Sequence, residues 1–142
     1  FWLAQRNPIP ESVINKAPEE WFFAHTSREK KKKDFFSPKA LNDYLECVKN
    51  PETINSICED YRAAASIDLI DDKISRENKI KIKIPILVLW GKKGKIGQWY
   101  DPLSIWKEYC SQEVKGYGID TGHYLAAENP EEIIKNINEF LT

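Results

Sequence analysis

The chain has 142 residues, 21 Lys and Arg against 22 Asp and Glu, and a formal net charge of -1. That length supports one domain with a modest core, and the balanced charge excludes a general attraction to nucleic acid or an anionic membrane surface. Its three cysteines, Cys47, Cys58 and Cys110, are far apart and share no metal-ligand spacing. Ordinary thiols in a reducing, cytoplasmic setting are therefore expected, with neither a metal site nor a disulfide framework. No run is apolar enough for a transmembrane helix or a signal-peptide core.

In chain order, Phe1 to Gln5 is apolar and aromatic and reads as the tail of a helix. Asn7-Pro8-Ile9-Pro10 stops it, because proline cannot extend a helix. Glu11 to Lys16 fits a short helix. Pro18 starts another, with Glu19 and Glu20 at its positive end. His25 falls on the same face as Trp21 and has no acidic or Cys partner at ligand spacing, so it reads as structural or exposed. The charged run Arg28 to Lys33 is short, is closed by Asp34, and reads as a solvated helix end.

Ser37-Pro38 is an N-cap followed by a first-turn proline. Leu41, Tyr44, Leu45 and Val48 then make one apolar stripe. Asn50-Pro51 breaks that helix. Thr53 to Ala65 forms the next, with Ile54, Ile57, Cys58, Tyr61 and Ala65 on one side. Asp68 to Asn78 is polar and reads as a helix end plus a loop.

From Lys79 the character changes. Lys79 to Ile84 alternates and leads into Pro85-Ile86-Leu87-Val88-Leu89-Trp90-Gly91, a buried strand of the kind found in parallel sheets. The glycine-containing loop after it has neither phosphate-loop spacing nor GxGxxG. Asp101-Pro102 opens a helix. Val114 to Ile119 is a short, glycine-interrupted strand. It delivers Asp120-Thr121-Gly122-His123, and Asn129-Pro130-Glu131-Glu132 starts the last helix. The chain thus divides into a helical region, 1–78, and a β-α-β-α region, 79–142, of α/β class. In such sheets chemistry gathers beyond the carboxyl ends of the strands, where His123 falls. A turn histidine would be the plain reading elsewhere; this context favours a catalytic one.

The pattern Pro-Ile-Leu-Val-Leu-Trp-Gly, helix, strand, Gly-His, helix resembles the last third of an α/β-hydrolase, and the helical region resembles the cap inserted before its last two strands. Within that region, Cys58-Glu59-Asp60-Tyr61-Arg62-Ala63-Ala64-Ala65 is similar to a cap stretch of fluoroacetate (haloacetate) dehalogenases. Leu3-Ala4-Gln5 with the prolines after it is similar to that family's cap entry, and Trp90-Gly91 and Gly122-His123-Tyr124-Leu125 are similar to its later strand-end loops. Many α/β-hydrolases carry an acid three residues past the Trp-Gly glycine. Gly94 stands there; the dehalogenases likewise lack that acid and take it from the loop before the cap. Asp101 is a weak substitute, better read as a helix cap. Ala126-Ala127 replaces the family's Pro and Glu, a change at the mouth of the site.

The resemblance implies an Asp that attacks the halogen-bearing carbon, and a histidine that activates water to hydrolyse the resulting ester. His123 matches that base. Tyr61 matches the cap tyrosine whose hydroxyl donates to the leaving halide, with a His and a Trp that would lie upstream of Phe1; Trp2 is not that Trp. Arg62 is not one of the arginines that hold the substrate carboxylate. No Gly-x-Asp-x-Gly or Gly-x-Ser-x-Gly elbow occurs.

With Phe1 in place of Met, the chain reads as a fragment or truncated product. It is expected to be inactive alone and not a stable monomer. No cofactor and no metal are expected. The complete enzyme would take a small 2-haloacid and could form a homodimer, with no nucleic-acid or membrane partner. An epoxide hydrolase or esterase on the same scaffold stays open, as does a non-catalytic helical binding module.

Overall fold

Proline opens the helices of this chain: Pro18, Pro38, Pro51, Pro102 and Pro130 are each the first residue of one. A first-turn proline loses no hydrogen bond, since its N–H would have no partner inside the helix, and its fixed φ suits the helix start. The computed structural model describes residues 2–26 and 35–142. The basic run at 28–33 and Phe1 lie outside them.

Two compact units divide between Ile74 and Ser75. The first holds α1 (Ile9–Ile14), α2 (Pro18–Thr26), α3 (Pro38–Lys49), α4 (Pro51–Ala64) and most of α5 (Ile67–Glu77). Ser37 caps α3 by accepting from the Ala40 N–H, and Asn50 caps α4 by accepting from the Glu52 N–H. Asn50 is also the last cap of α3, so one residue ends a helix and starts the next. The core collects Leu3, Ile14, Phe22, Val48, Ile54 and Cys58, with Tyr61, Leu41, Leu45 and Phe36 packed against it. Tyr44 joins Phe22 and Phe36 in an aromatic cluster, with ring centroids 6.1 and 5.2 Å away. His25 stacks on Trp21 at 5.1 Å, as their shared helix face requires.

Two expectations fail in this unit. Trp2 to Gln5 is a turn, closed by the Gln5 N–H on the Trp2 carbonyl, and not a helix tail. Apolar composition misled there, because burial of Leu3 in the core accounts for it without a helix. The segment from Asp68, expected as a helix end plus a loop, is helical through Glu77 as part of α5. Its Ile67, Ile70 and Ile74 recur at helical spacing and are exposed, so the helix is amphipathic beneath its charged composition.

The second unit is a βαβ arrangement. β1 (Ile86–Gly91) pairs in parallel with β2 (Val114–Ile119), from Ile86 opposite Val114 to Gly91 opposite Ile119. Between them run α6 (Ile96–Trp99) and α7 (Pro102–Tyr109); α8 (Leu125–Glu128) and α9 (Pro130–Leu141) follow. Gly116 lets the strands close up: a Cβ there would lie 1.9 Å from the Val88 carbonyl oxygen. Asn129 and Glu132 form a reciprocal cap, the Asn129 side chain accepting from the Glu132 N–H and donating to its carboxylate. The alternating Lys79–Ile84 stretch contributes a single parallel bridge, Ile82 to Cys110, instead of a strand extension. Ile86 to Trp90 is half-buried where full burial is expected, because β2 is the one strand paired with β1 among the described residues.

Candidate active site around His123

Parallel pairing brings the carboxyl ends of both strands to the same edge, and the loops beyond them are stitched together by backbone. The Lys92 N–H donates to the Ile119 carbonyl at 2.8 Å, and the Lys93 N–H to the Thr121 carbonyl at 3.0 Å. Gly91 permits that approach, because a Cβ on it would stand 1.8 Å from the Gly122 carbonyl oxygen. Ile119 and Thr121 are buried, and the chain then surfaces at His123, which is exposed.

The loop carrying His123 is held from the far side by a residue that pattern reading passes over. One carboxylate oxygen of Glu128 accepts the Gly122 N–H at 2.7 Å; the other accepts the Tyr124 N–H at 3.0 Å. The two bonds flank His123, and hydrogen bonds to a charged acceptor are the stronger kind. The Tyr124 ring meets the imidazole edge-on, centroids 5.0 Å apart. The one sequence signal for Glu128 is an acid a turn and a half past a Gly-His, and that spacing matches no standard helix cap.

No carboxylate among the described residues bonds the imidazole of His123. Asp120 is exposed and paired with Lys93 at 3.1 Å. Asp101 caps α7 by accepting the Ser104 N–H, as its sequence context indicates. Glu128 has both oxygens on backbone amides. Gly94 donates its N–H to the Gly91 carbonyl and offers no side chain. Among the described residues, His123 therefore stands without a carboxylate partner.

Tyr61 belongs to the first unit, where it lies half-buried against the helical core. His123 belongs to the second. Next to Tyr61, Arg62 is structural. Its Nη2 meets the Glu11 carboxylate at 2.5 Å, its Nη1 meets Glu59 at 2.7 Å, and its Nε donates to the Gln5 carbonyl at 2.8 Å. Burial pushes the Glu11 carboxyl up, but the hydrogen bond from Arg62, then a backbone hydrogen bond, then the Arg62 charge, with a lesser Cys58 contact, hold it below its ordinary value. Burial, then the Glu11 charge, pushes the Cys58 thiol up. The cap-like stretch thus ties α4 to the opening segment.

All three cysteines are free, Cys47 exposed and the others buried. Among the described residues no group of His, Cys, Asp and Glu is arranged to hold a metal ion. Nor, among the described residues, is any helix long and apolar enough to cross a membrane.

No protein-family model matches the chain. A fluoroacetate dehalogenase of Burkholderia sp is 25% identical over 150 aligned positions, spanning 100% of this chain and 46% of that protein. Among solved structures, an α/β hydrolase so assigned provisionally, ALR0039 of Nostoc sp PCC 7120, is 42% identical with a TM-score of 0.92, over 100% of this chain and 48% of its own. A Salmonella enterica protein provisionally assigned as an acyltransferase is 40% identical with a TM-score of 0.90, covering 99% of this chain and 46% of its own. A Pseudomonas aeruginosa protein provisionally assigned as an epoxide hydrolase is 30% identical with a TM-score of 0.90, covering 99% and 47%. The chain spans about half the length of each of these relatives.

Proposed function

The chain carries a partial α/β-hydrolase fold, a helical region followed by two strand–helix units, and from that premise we propose that it is the C-terminal half of a dehalogenase acting on small 2-haloacids. The observation that carries the reading is His123, exposed beyond the carboxyl ends of β1 and β2 on a loop fixed from both sides. The likeness to a fluoroacetate dehalogenase along the whole chain supports it.

In this reading an aspartate outside residues 1–142 attacks the halogen-bearing carbon. A carbon–oxygen bond forms, the carbon–halogen bond breaks, and the halide leaves with the electron pair. His123 takes a proton from water, which attacks the ester carbonyl and frees the hydroxyacid and the aspartate. Tyr61 donates its hydroxyl to the departing halide, whose developing charge needs a hydrogen-bond donor most when it is fluoride. The acid that orients His123 also comes from outside these residues. Residues 1–142 alone then release no halide. In this reading the complete enzyme is a cytoplasmic protein without cofactor, metal, membrane or nucleic-acid partner, and a homodimer is compatible with it.

A second reading, an epoxide hydrolase on the same scaffold, is favoured by the likeness to the Pseudomonas protein. One experiment separates them. In the complete enzyme, His123→Ala supplied with fluoroacetate should release one halide per subunit and leave an ester on the nucleophile, visible by mass spectrometry. Sustained turnover of that variant rejects the general-base role. Absence of any halide from the unmodified enzyme rejects the dehalogenase.

A further inference from the structure

Placing a general base within catalytic reach demands more than a loop that happens to end nearby. Small misplacements of a reacting group are costly, so its backbone has to be held. The imidazole of His123 makes no side-chain hydrogen bond that would do this among the described residues. Its backbone neighbours do the work, and both answer to one carboxylate.

We infer that Glu128 is the positioning residue for His123: its carboxylate bridges the Gly122 and Tyr124 amides and sets where the imidazole stands. This rests on His123 being the base of the reading above. The geometry is specific. Glu128 ends α8, and Tyr124 is the residue that caps the start of α8. The side chain therefore reaches back over its own helix and closes the loop on itself at 2.7 and 3.0 Å. Two acceptor oxygens meet two donors that flank one residue, so the intervening backbone has little freedom left. Tyr124, fixed by the same bond, sets its ring edge-on to the imidazole at 5.0 Å and interplanar 87°. The opposite side of the loop is already closed by the Lys93 amide on Thr121 and by the Gly91 contact. Glu128 is thus the acidic residue nearest His123 in sequence after it, yet it acts on the backbone and not as the missing third member of a catalytic group. That assignment separates it from Asp120, whose carboxylate is exposed and engaged with Lys93.

Glu128→Gln is the discriminating variant. Its amide keeps one acceptor oxygen and puts a donor where the other stood, so one of the two bonds must fail. Glu128→Asp keeps both acceptors on a shorter stem and is the rescue. The readouts need no substrate, so they stand or fall apart from the dehalogenase reading. The chain has two histidines, which gives an internal reference, His25 stacked on Trp21. In the unmodified chain the His123 ring protons should be shifted by the Tyr124 ring, and the Gly122 and Tyr124 amides should exchange slowly. In Glu128→Gln the His123 shift should move toward the free-histidine value while the His25 shift stays. Exchange at one of the two amides should speed up by about tenfold or more, the loss of one charge-assisted hydrogen bond. Glu128→Asp should recover part of both. In the complete enzyme, Glu128→Gln should lower kcat with little change in KM. Unchanged His123 shift and unchanged amide exchange in Glu128→Gln overturn the proposal. So does a Gly122 amide that exchanges as an open loop does in the unmodified complete enzyme, which decides the matter even where the variant fails to fold.

Discussion

Gly91 and Gly122 meet backbone to backbone, so close that a methyl group on Gly91 would lie 1.8 Å from the Gly122 carbonyl oxygen. The end of β1 and the loop bearing His123 therefore share one packing constraint. Gly91→Ala must push the loop away from the strand, because neither partner is a side chain that could turn aside. The expected cost is about 1–3 kcal/mol, typical of overpacking. Urea unfolding should register it, and the Gly122 amide should lose protection from exchange. An unchanged midpoint would mean that the loop yields freely.

A second expectation concerns acid. The folded Glu11 carboxyl sits below its ordinary value, so the unfolded chain binds protons where the folded chain does not. Stability from this group is present above the ordinary carboxylate range and is lost as pH falls through the depressed folded value. Melting temperature followed from neutral pH into that range should fall, and Arg62→Met should flatten the dependence. If the slope survives in Arg62→Met, Arg62 is not its source.

The thiols should differ in reactivity. Cys47 is exposed, whereas Cys58 is buried with its thiol pushed up, chiefly by burial. The thiolate is the reactive form, so Cys58 is doubly protected. Brief iodoacetamide treatment at neutral pH should label Cys47, with Cys58 and Cys110 labelled only on unfolding. Mass spectrometry of the digest reads this directly. Early labelling of Cys58 would contradict the packing of α4.

Tyr61→Phe in the complete enzyme tests the halide role. The ring stays against the helical core, so stability should hardly change. Fluoride displacement should slow by more than chloride displacement, by about tenfold or more if the hydroxyl donates to the leaving ion. Equal slowing for both halides would return Tyr61 to a packing role.

What could be read from the sequence was local or strongly periodic. Asp101, Ser37 and Asn129 cap their helices because a short polar side chain ahead of a proline has few other uses. β1 and β2 were legible as β-branched or glycine-cut runs around a helix. α5 was not, since its charges hid three isoleucines at helical spacing. Two contacts were beyond reach for a different reason. Arg62 finds Glu11 and Gln5 across a long stretch of chain, and no local pattern encodes that meeting. Glu128 bonds backbone amides, which carry no sequence signature, so its partners appear only once the loop has a shape. The opening turn at Trp2–Gln5 shows the opposite error, composition taken for periodicity.

The Glu128 bridge spans very little chain. Loop-closure entropy grows with the logarithm of the segment closed, and the segment from Gly122 to Glu128 is short. Contacts of such low sequence separation form quickly and do not wait for distant strands to pair. The backbone that carries the imidazole is then set without waiting for the strands to pair. Substitutions elsewhere in the scaffold can move the loop as a piece while leaving its internal geometry intact. A histidine carried this way is a transferable part.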